Sequence, residues 1–129
     1  MRRRHLLAAP LFVFAAVPAA RAATVAAYTA QSFAAAQAAG RPILVHINAG
    51  WCPTCAKQRP ILRQIEATAA CKNLQVFTVD FDAQEDVVRH FGATMQSTLI
   101  AFHGTRETAR SVGETDPDKI AAVVDSALH

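Results

Sequence analysis

Cys52 and Cys55 are the residues of this chain best suited to covalent chemistry. They stand in Trp51-Cys52-Pro53-Thr54-Cys55, between an apolar run and a helical pattern. A thiol is a nucleophile only as its thiolate, and the free N–H groups and partial positive charge at a helix start favour the thiolate. Cys52, at the helix start, is therefore expected to have a lowered pKa. Two intervening residues put Cys55 one turn on, where the pair can close a small disulfide ring. Cys52 can then attack a disulfide, and Cys55 can resolve the mixed disulfide that forms. Pro53 has no N–H to lose in the first turn and stiffens it. Trp51 and Thr54 complete the shape of the turn.

Such a pair has two other possible uses. A lone CxxC can be half of a zinc site. The remaining cysteine is Cys71, with no second CxxC, so zinc would need a Cys52/Cys55/Cys71/His46 cage of unclustered ligands. No metal site is expected. A purely structural disulfide would not require a strand–turn–helix setting, whereas CxxC inside a βαβ pattern is a redox signal. Cys71 reads as a small apolar residue under the surface; the alternative is an exposed thiol that pairs between chains. Asp80, Asp82, Glu85 and Asp86 lie at a strand end and helix start, where the helix dipole accounts for them without a metal.

The elements that must hold the cysteines follow from periodicity. Pro42 to Asn48 (PILVHIN) is a short run rich in β-branched residues and predicts a buried strand. Cys55 to about Ala70 is helical, with Ile61, Leu62 and Ile65 on one face. Leu74 to Phe81 alternates and predicts a second strand. Upstream, 23–28 predicts a short strand or extended arm. Thr29 to Ala39 predicts a helix anchored by Phe33 and stopped by Gly40. Downstream come a short helix from Ala83 to Phe91 ending at Gly92, a strand from Thr98 to His103, and a turn at Gly104-Thr105. Glu107 to Val112 is the hairpin partner. Asp116 caps a last helix, with Pro117 at its first position. That helix runs to about Leu128 with Ile120, Val123, Val124 and Leu128 inward. Parallel crossovers followed by a hairpin give an α/β fold, a mixed four- to five-stranded sheet with helices on both faces.

Charge points to the chain's address. The 129 residues hold 13 basic and 10 acidic groups, a balance that invites a nucleic-acid reading. Arg2, Arg3 and Arg4 precede the apolar run Leu6 to Ala20, which ends in Ala20-Arg21-Ala22. Charged start, apolar middle and small-residue end make a signal peptide, residues 1–22. The competing reading, an uncleaved anchor, must span a membrane with about 15 residues broken by Pro10 and Pro18. Arg3-Arg4-His5-Leu6-Leu7 also loosely fits a twin-arginine export pattern. Removing 22 residues and their four arginines leaves 107 residues with 9 basic against 10 acidic groups. The nucleic-acid reading then loses its support. The expected destination is the periplasm, where disulfides persist.

The stretch ILVHINAGWCPTCAKQRPIL, Ile43 to Leu62, resembles the thioredoxin family. Trp51 precedes the first cysteine, and Pro60 stands five residues after the second, where thioredoxins kink the helix. The resemblance continues through LQVFTVDFD (74–82), HFGA (90–93), STLIAF (97–102) and VGE (112–114). It implies a thioredoxin fold for residues 23–129, catalysis by Cys52 and Cys55, and protein thiols or disulfides as partners. It implies no cofactor besides the cysteine pair.

The sequence departs from the family at three places. Thioredoxins have a buried Asp six residues before the first cysteine; here it is His46, and the Lys that accompanies the Asp aligns with Thr78. His46 is either an acid–base group for the resolving thiol or a neutral, hydrogen-bonded core residue. The family's cis-proline aligns with Ser97 in Gln96-Ser97-Thr98. A cis bond before a non-proline costs about 2.5–4 kcal/mol, so a trans Gln96–Ser97 bond and an altered loop are expected. The dipeptide between the cysteines is Pro-Thr rather than Gly-Pro.

The expected function is an exported, monomeric thiol–disulfide oxidoreductase, more reductase than oxidase, recharged by a membrane thiol–disulfide conduit. The alternative, motivated by Ser97, is a thioredoxin-fold binding or metal-handling module with little turnover.

Overall fold

The computed structural model describes residues 12–16 and 22–129. The expected leader lies outside the described residues, apart from 12–16 and Ala22. The elements, in chain order, are β1 (Thr24–Ala27), α1 (Ala30–Ala38), β2 (Pro42–Asn48), α2 (Pro53–Glu66), β3 (Gln75–Asp80), α3 (Glu85–His90), β4 (Thr98–His103), β5 (Arg106–Val112) and α4 (Pro117–Leu128). The strands form one sheet in the order β1-β3-β2-β4-β5. β1, β3 and β2 run parallel, and β4 and β5 are antiparallel to their neighbours. The N-terminal arm is thus a strand, and the sheet has five strands.

Strand periodicity sorts the side chains between two cores. From β2, Ile43, Val45 and Ile47 join Phe33, Phe77, Phe91 and Phe102 under α1 and α3. Leu44 joins Leu62, Leu99, Ile120 and Val124 under α2 and α4. His46, two residues after Leu44, therefore faces α2. Phe33 is the aromatic hub of its side, with ring centroids 5.3–5.7 Å from Tyr28, Phe77, Phe91 and Phe102.

Local chemistry sets the ends of the elements. Thr29 caps α1, and Gly40 takes the left-handed backbone after it (φ 68°). Asp116 accepts from the Asp118 and Lys119 amides at the start of α4. α2 runs through Pro60, which leaves the Ala56 carbonyl without its intrahelical donor on the exposed side. It stops at Glu66, short of the expected Ala70, and a 3-10 turn follows over Ala69–Cys71. The Thr68 hydroxyl donates to the Ile65 carbonyl at 2.7 Å, an alternative to continued helix. α3 starts two residues later than expected, because the Asp80 carboxylate takes the Asp82 and Ala83 amides into a turn.

The register gathers the functional segments at one edge. Asn48, at the end of β2, lies beside Asp80, at the end of β3. Ile47 pairs with Thr98, the first residue of β4, and Thr98 pairs with Val112, the last residue of β5. The loops that leave and enter the sheet here carry Trp51, Cys52, Asp82, Gln96, Ser97 and Glu114. The carboxyl ends of parallel strands are where α/β sheets place their sites.

Candidate active site

Cys52 is the N-cap of α2, and its sulfur accepts the Cys55 amide at 3.1 Å. Pro53 occupies the first helical turn, as its missing N–H allows. Burial alone would push the Cys52 thiol up. Hydrogen bonds from the Cys55 thiol, the Cys55 amide, the Gln96 side chain and the Thr54 amide outweigh it and hold the thiol below the ordinary cysteine range. The Cys55 thiol goes the other way, pushed up by its own burial and by the neighbouring Cys52 sulfur. The two thiols are thus chemically unequal, as a nucleophile and a resolving partner require.

Trp51 stands 61% exposed beside them, and its indole N–H donates to the Asp82 carboxylate at 2.6 Å. Asp82, whose sequence position offers only a helix-dipole complement, belongs to the site.

His46 is buried, and its Nε2 lies 3.2 Å from Gln58 Oε1. The Gln58 amide nitrogen donates to the Ser97 carbonyl at 3.1 Å and to the Glu114 carbonyl at 2.9 Å. Both of its N–H groups are used, so its oxygen faces His46 and the imidazole carries its proton on Nε2. Burial pushes the ring well down; the Gln58 bond opposes this, the Arg59 charge adds to it, and the pKa falls to about 4. Near pH 7 His46 is therefore a neutral, buried imidazole hydrogen-bonded to Gln58.

Local sequence pattern does not single out Gln58 as a site residue. The available signal was position, because Cys55, Gln58, Leu62 and Ile65 follow the helical period along the inner face of α2.

The Gln96–Ser97 bond is trans, as expected, since no cis peptide occurs among the described residues. Ser97 instead adopts a left-handed backbone, φ 56°. Its hydroxyl donates to the Gln96 carbonyl, and its own carbonyl takes both Gln58 Nε2 and the Gly113 amide, the latter at 3.0 Å. The buried Thr98 hydroxyl donates to the Met95 carbonyl at 2.7 Å and closes the loop. The structure therefore brings Trp51, Cys52, Pro53, Thr54, Cys55, Gln96, Ser97 and Thr98 to one place, and His46 joins through Gln58. Pro60 lies apart on the exposed side of α2. Cys71 is buried beyond the far end of that helix, in the 3-10 turn over Ala69–Cys71. The imagined zinc cage is not assembled: among the described residues no three His, Cys, Asp or Glu side chains converge on one ion site.

The sequence pattern named Thioredoxin matches residues 24–126. The chain belongs to the thioredoxin family. Thioredoxin C-2 of Corynebacterium nephridii is 30% identical over 87 residues, which cover 67% of this chain and 80% of that protein. The Bifunctional thioredoxin reductase/thioredoxin of Mycobacterium leprae is 31% identical over 90 residues, 70% of this chain but 19% of that protein's length. Among solved structures, Trxlp from Edwardsiella tarda EIB202 is 39% identical with a TM-score of 0.76, covering 78% of this chain and 98% of that one.

The protein is thus a thiol–disulfide oxidoreductase with a thioredoxin fold. Two of its three departures from other thioredoxins are connected. His46 pairs across the β2–β3 ladder with Thr78, so the family's Asp and Lys positions are adjacent and both uncharged here. Gln58 ties His46 to Ser97, the residue at the family's proline position.

Proposed function

We propose that this thioredoxin is an exported reductase of protein disulfides, with Cys52 as nucleophile and Cys55 as resolving thiol. The inequality of the two thiols is the observation that supports the assignment. The Cys52 thiolate attacks one sulfur of a substrate disulfide. That S–S bond breaks, a mixed disulfide forms on Cys52, and the departing sulfur leaves as a thiolate that takes up a proton. Cys55, deprotonated, then attacks the Cys52 sulfur. The Cys52–Cys55 disulfide closes and the second substrate thiol is released, two electrons having passed to the substrate.

The reducing direction is supported by the match to the thioredoxin family over residues 24–126. Export is supported by the signal-peptide pattern of residues 1–22. In that compartment the oxidised pair is recharged by a membrane thiol–disulfide conduit, and the protein works as a monomer.

Glutathione titration of the Cys52–Cys55 couple tests the direction. A potential near the thioredoxin value of about −270 mV supports a reductase; one near about −120 mV makes the protein an oxidase. Cell fractionation, with the mass of the processed chain, tests the address. A chain beginning at Ala23 in the periplasmic fraction is expected, and a cytoplasmic chain retaining its leader would refute export.

A further inference from the structure

Gln58 is 0% exposed in the middle of α2, yet all its hydrogen-bonding groups are directed at three separate segments. Its oxygen meets His46 on β2, and its nitrogen meets the carbonyl of Ser97 before β4 and that of Glu114 before α4. A buried amide is costly unless fully partnered, so each of these segments is held to the others through one side chain.

The segment with most to gain is the Gln96–Ser97 loop. Ser97 sits at φ 56°, a left-handed state that an L-residue other than glycine adopts at a cost. Such a residue persists only where its surroundings over-determine it. Two donors converge on its carbonyl, Gln58 Nε2 and the Gly113 amide. The same loop acts on both thiols: the Gln96 side chain lowers the pKa of the Cys52 thiol, and the Ser97 backbone lowers that of Cys55. A rotation about the Ser97 backbone would withdraw both.

We propose that Gln58 is a positioning residue for disulfide exchange: by holding the Ser97 carbonyl it keeps the loop in the left-handed state that presents Gln96 and the Ser97 backbone to the two cysteines. It touches no substrate and no reacting atom. It acts through the loop, with His46 as the neutral donor that fixes its amide orientation. This inference rests on the assignment of Cys52 as the nucleophile.

The test is the pH dependence of Cys52 alkylation by iodoacetamide in the reduced, folded protein, read at Cys52 by peptide mass. Gln58→Leu preserves side-chain bulk and removes both donors. Its profile midpoint is expected to move up, slowing alkylation near pH 7 by about three- to tenfold. Adding Ser97→Gly, which tolerates a positive φ without the side-chain clash, is expected to recover part of that loss. A loss of packing alone would not be rescued this way. Gln58→Asn, one methylene shorter, carries the same test with the amide retained should Gln58→Leu not fold. A folded Gln58 variant with an unshifted profile, or a shift untouched by Ser97→Gly, would overturn the proposal. The parent chain separates this from the underlying assignment. If Cys55 is alkylated before Cys52 in the parent, the nucleophile was misassigned; if Cys52 reacts first and Gln58 variants leave it unchanged, only the positioning role fails.

Discussion

The indole N–H of Trp51 donates to the carboxylate of Asp82 at 2.6 Å, across 31 residues of sequence. The bond ties the turn before Cys52 to the loop that leaves β3, and so fixes one wall of the site to the sheet. Trp51 is also the single tryptophan of the chain, which makes its fluorescence a report on the site alone. Asp82→Ala is expected to lower the fluorescence anisotropy and to cost about 1 kcal/mol of stability. Exchange should slow on the order of threefold as the turn loses its support. Asp82→Asn keeps an acceptor and should retain most of the anisotropy. Unchanged anisotropy in Asp82→Ala would show that the bond does not order the turn.

His46 makes stability depend on pH with a definite sign. Its pKa falls from 6.5 to about 4 on folding, chiefly through burial. Between these values the unfolded chain binds a proton that the folded chain refuses. The His46 contribution is therefore complete above pH 6.5 and is lost as pH falls towards 4, by about 3 kcal/mol in all. Urea midpoints measured from pH 7 to 4.5 should fall more steeply in the parent than in His46→Asn, which keeps a donor for Gln58 without titrating there. Equal slopes would place the proton elsewhere.

Cys52 and Cys71 are equally buried, each 2% exposed. Reactivity must then divide them by environment rather than by access. The Cys52 sulfur accepts the Cys55 amide at 3.1 Å, whereas Cys71 belongs to an apolar cluster with Leu44, Leu62 and Leu74. In the reduced native protein iodoacetamide should label Cys52 readily and Cys71 only as the chain unfolds. Equal labelling of both under native conditions would contradict the assigned environments.

Phe33 joins α1 to the sheet through its contacts with four rings, Tyr28, Phe77, Phe91 and Phe102. Phe33→Ala should cost about 3–5 kcal/mol, read by chemical denaturation. A cost under 1 kcal/mol would mean that α1 is held by something else.

What the sequence made legible was what depends on local pattern. The β-branched run of β2, the alternation of β3, the Asp116-Pro117 cap and the cysteines at the start of α2 each follow from neighbouring residues. Gly40 likewise marked its own turn, and the structure gives it a left-handed backbone. Element ends were less legible where a side chain competes with the backbone, as at Thr68 after α2 and Asp80 before α3. The tertiary partners stayed hidden. Asp82 looked like a helix-dipole residue because nothing in the sequence shows that Trp51 lies across the gap. Gln58 looked like one polar residue on a long helix, because its three partners come from β2 and from the loops before β4 and α4. The unusual choices at 46 and 97 were visible one by one, but the residue that links them was not.

The inequality of Cys52 and Cys55 is tested most directly by trapping. The parent, Cys52→Ser and Cys55→Ser chains, reduced and mixed with a protein disulfide, should give three different outcomes under non-reducing electrophoresis and peptide mapping. The parent should turn over without accumulating adducts. Cys55→Ser should stop as a stable mixed disulfide on Cys52, and Cys52→Ser should neither react nor trap. A Cys52→Ser chain that still reduces the substrate, or a trapped adduct on Cys55 in the parent, would contradict the account.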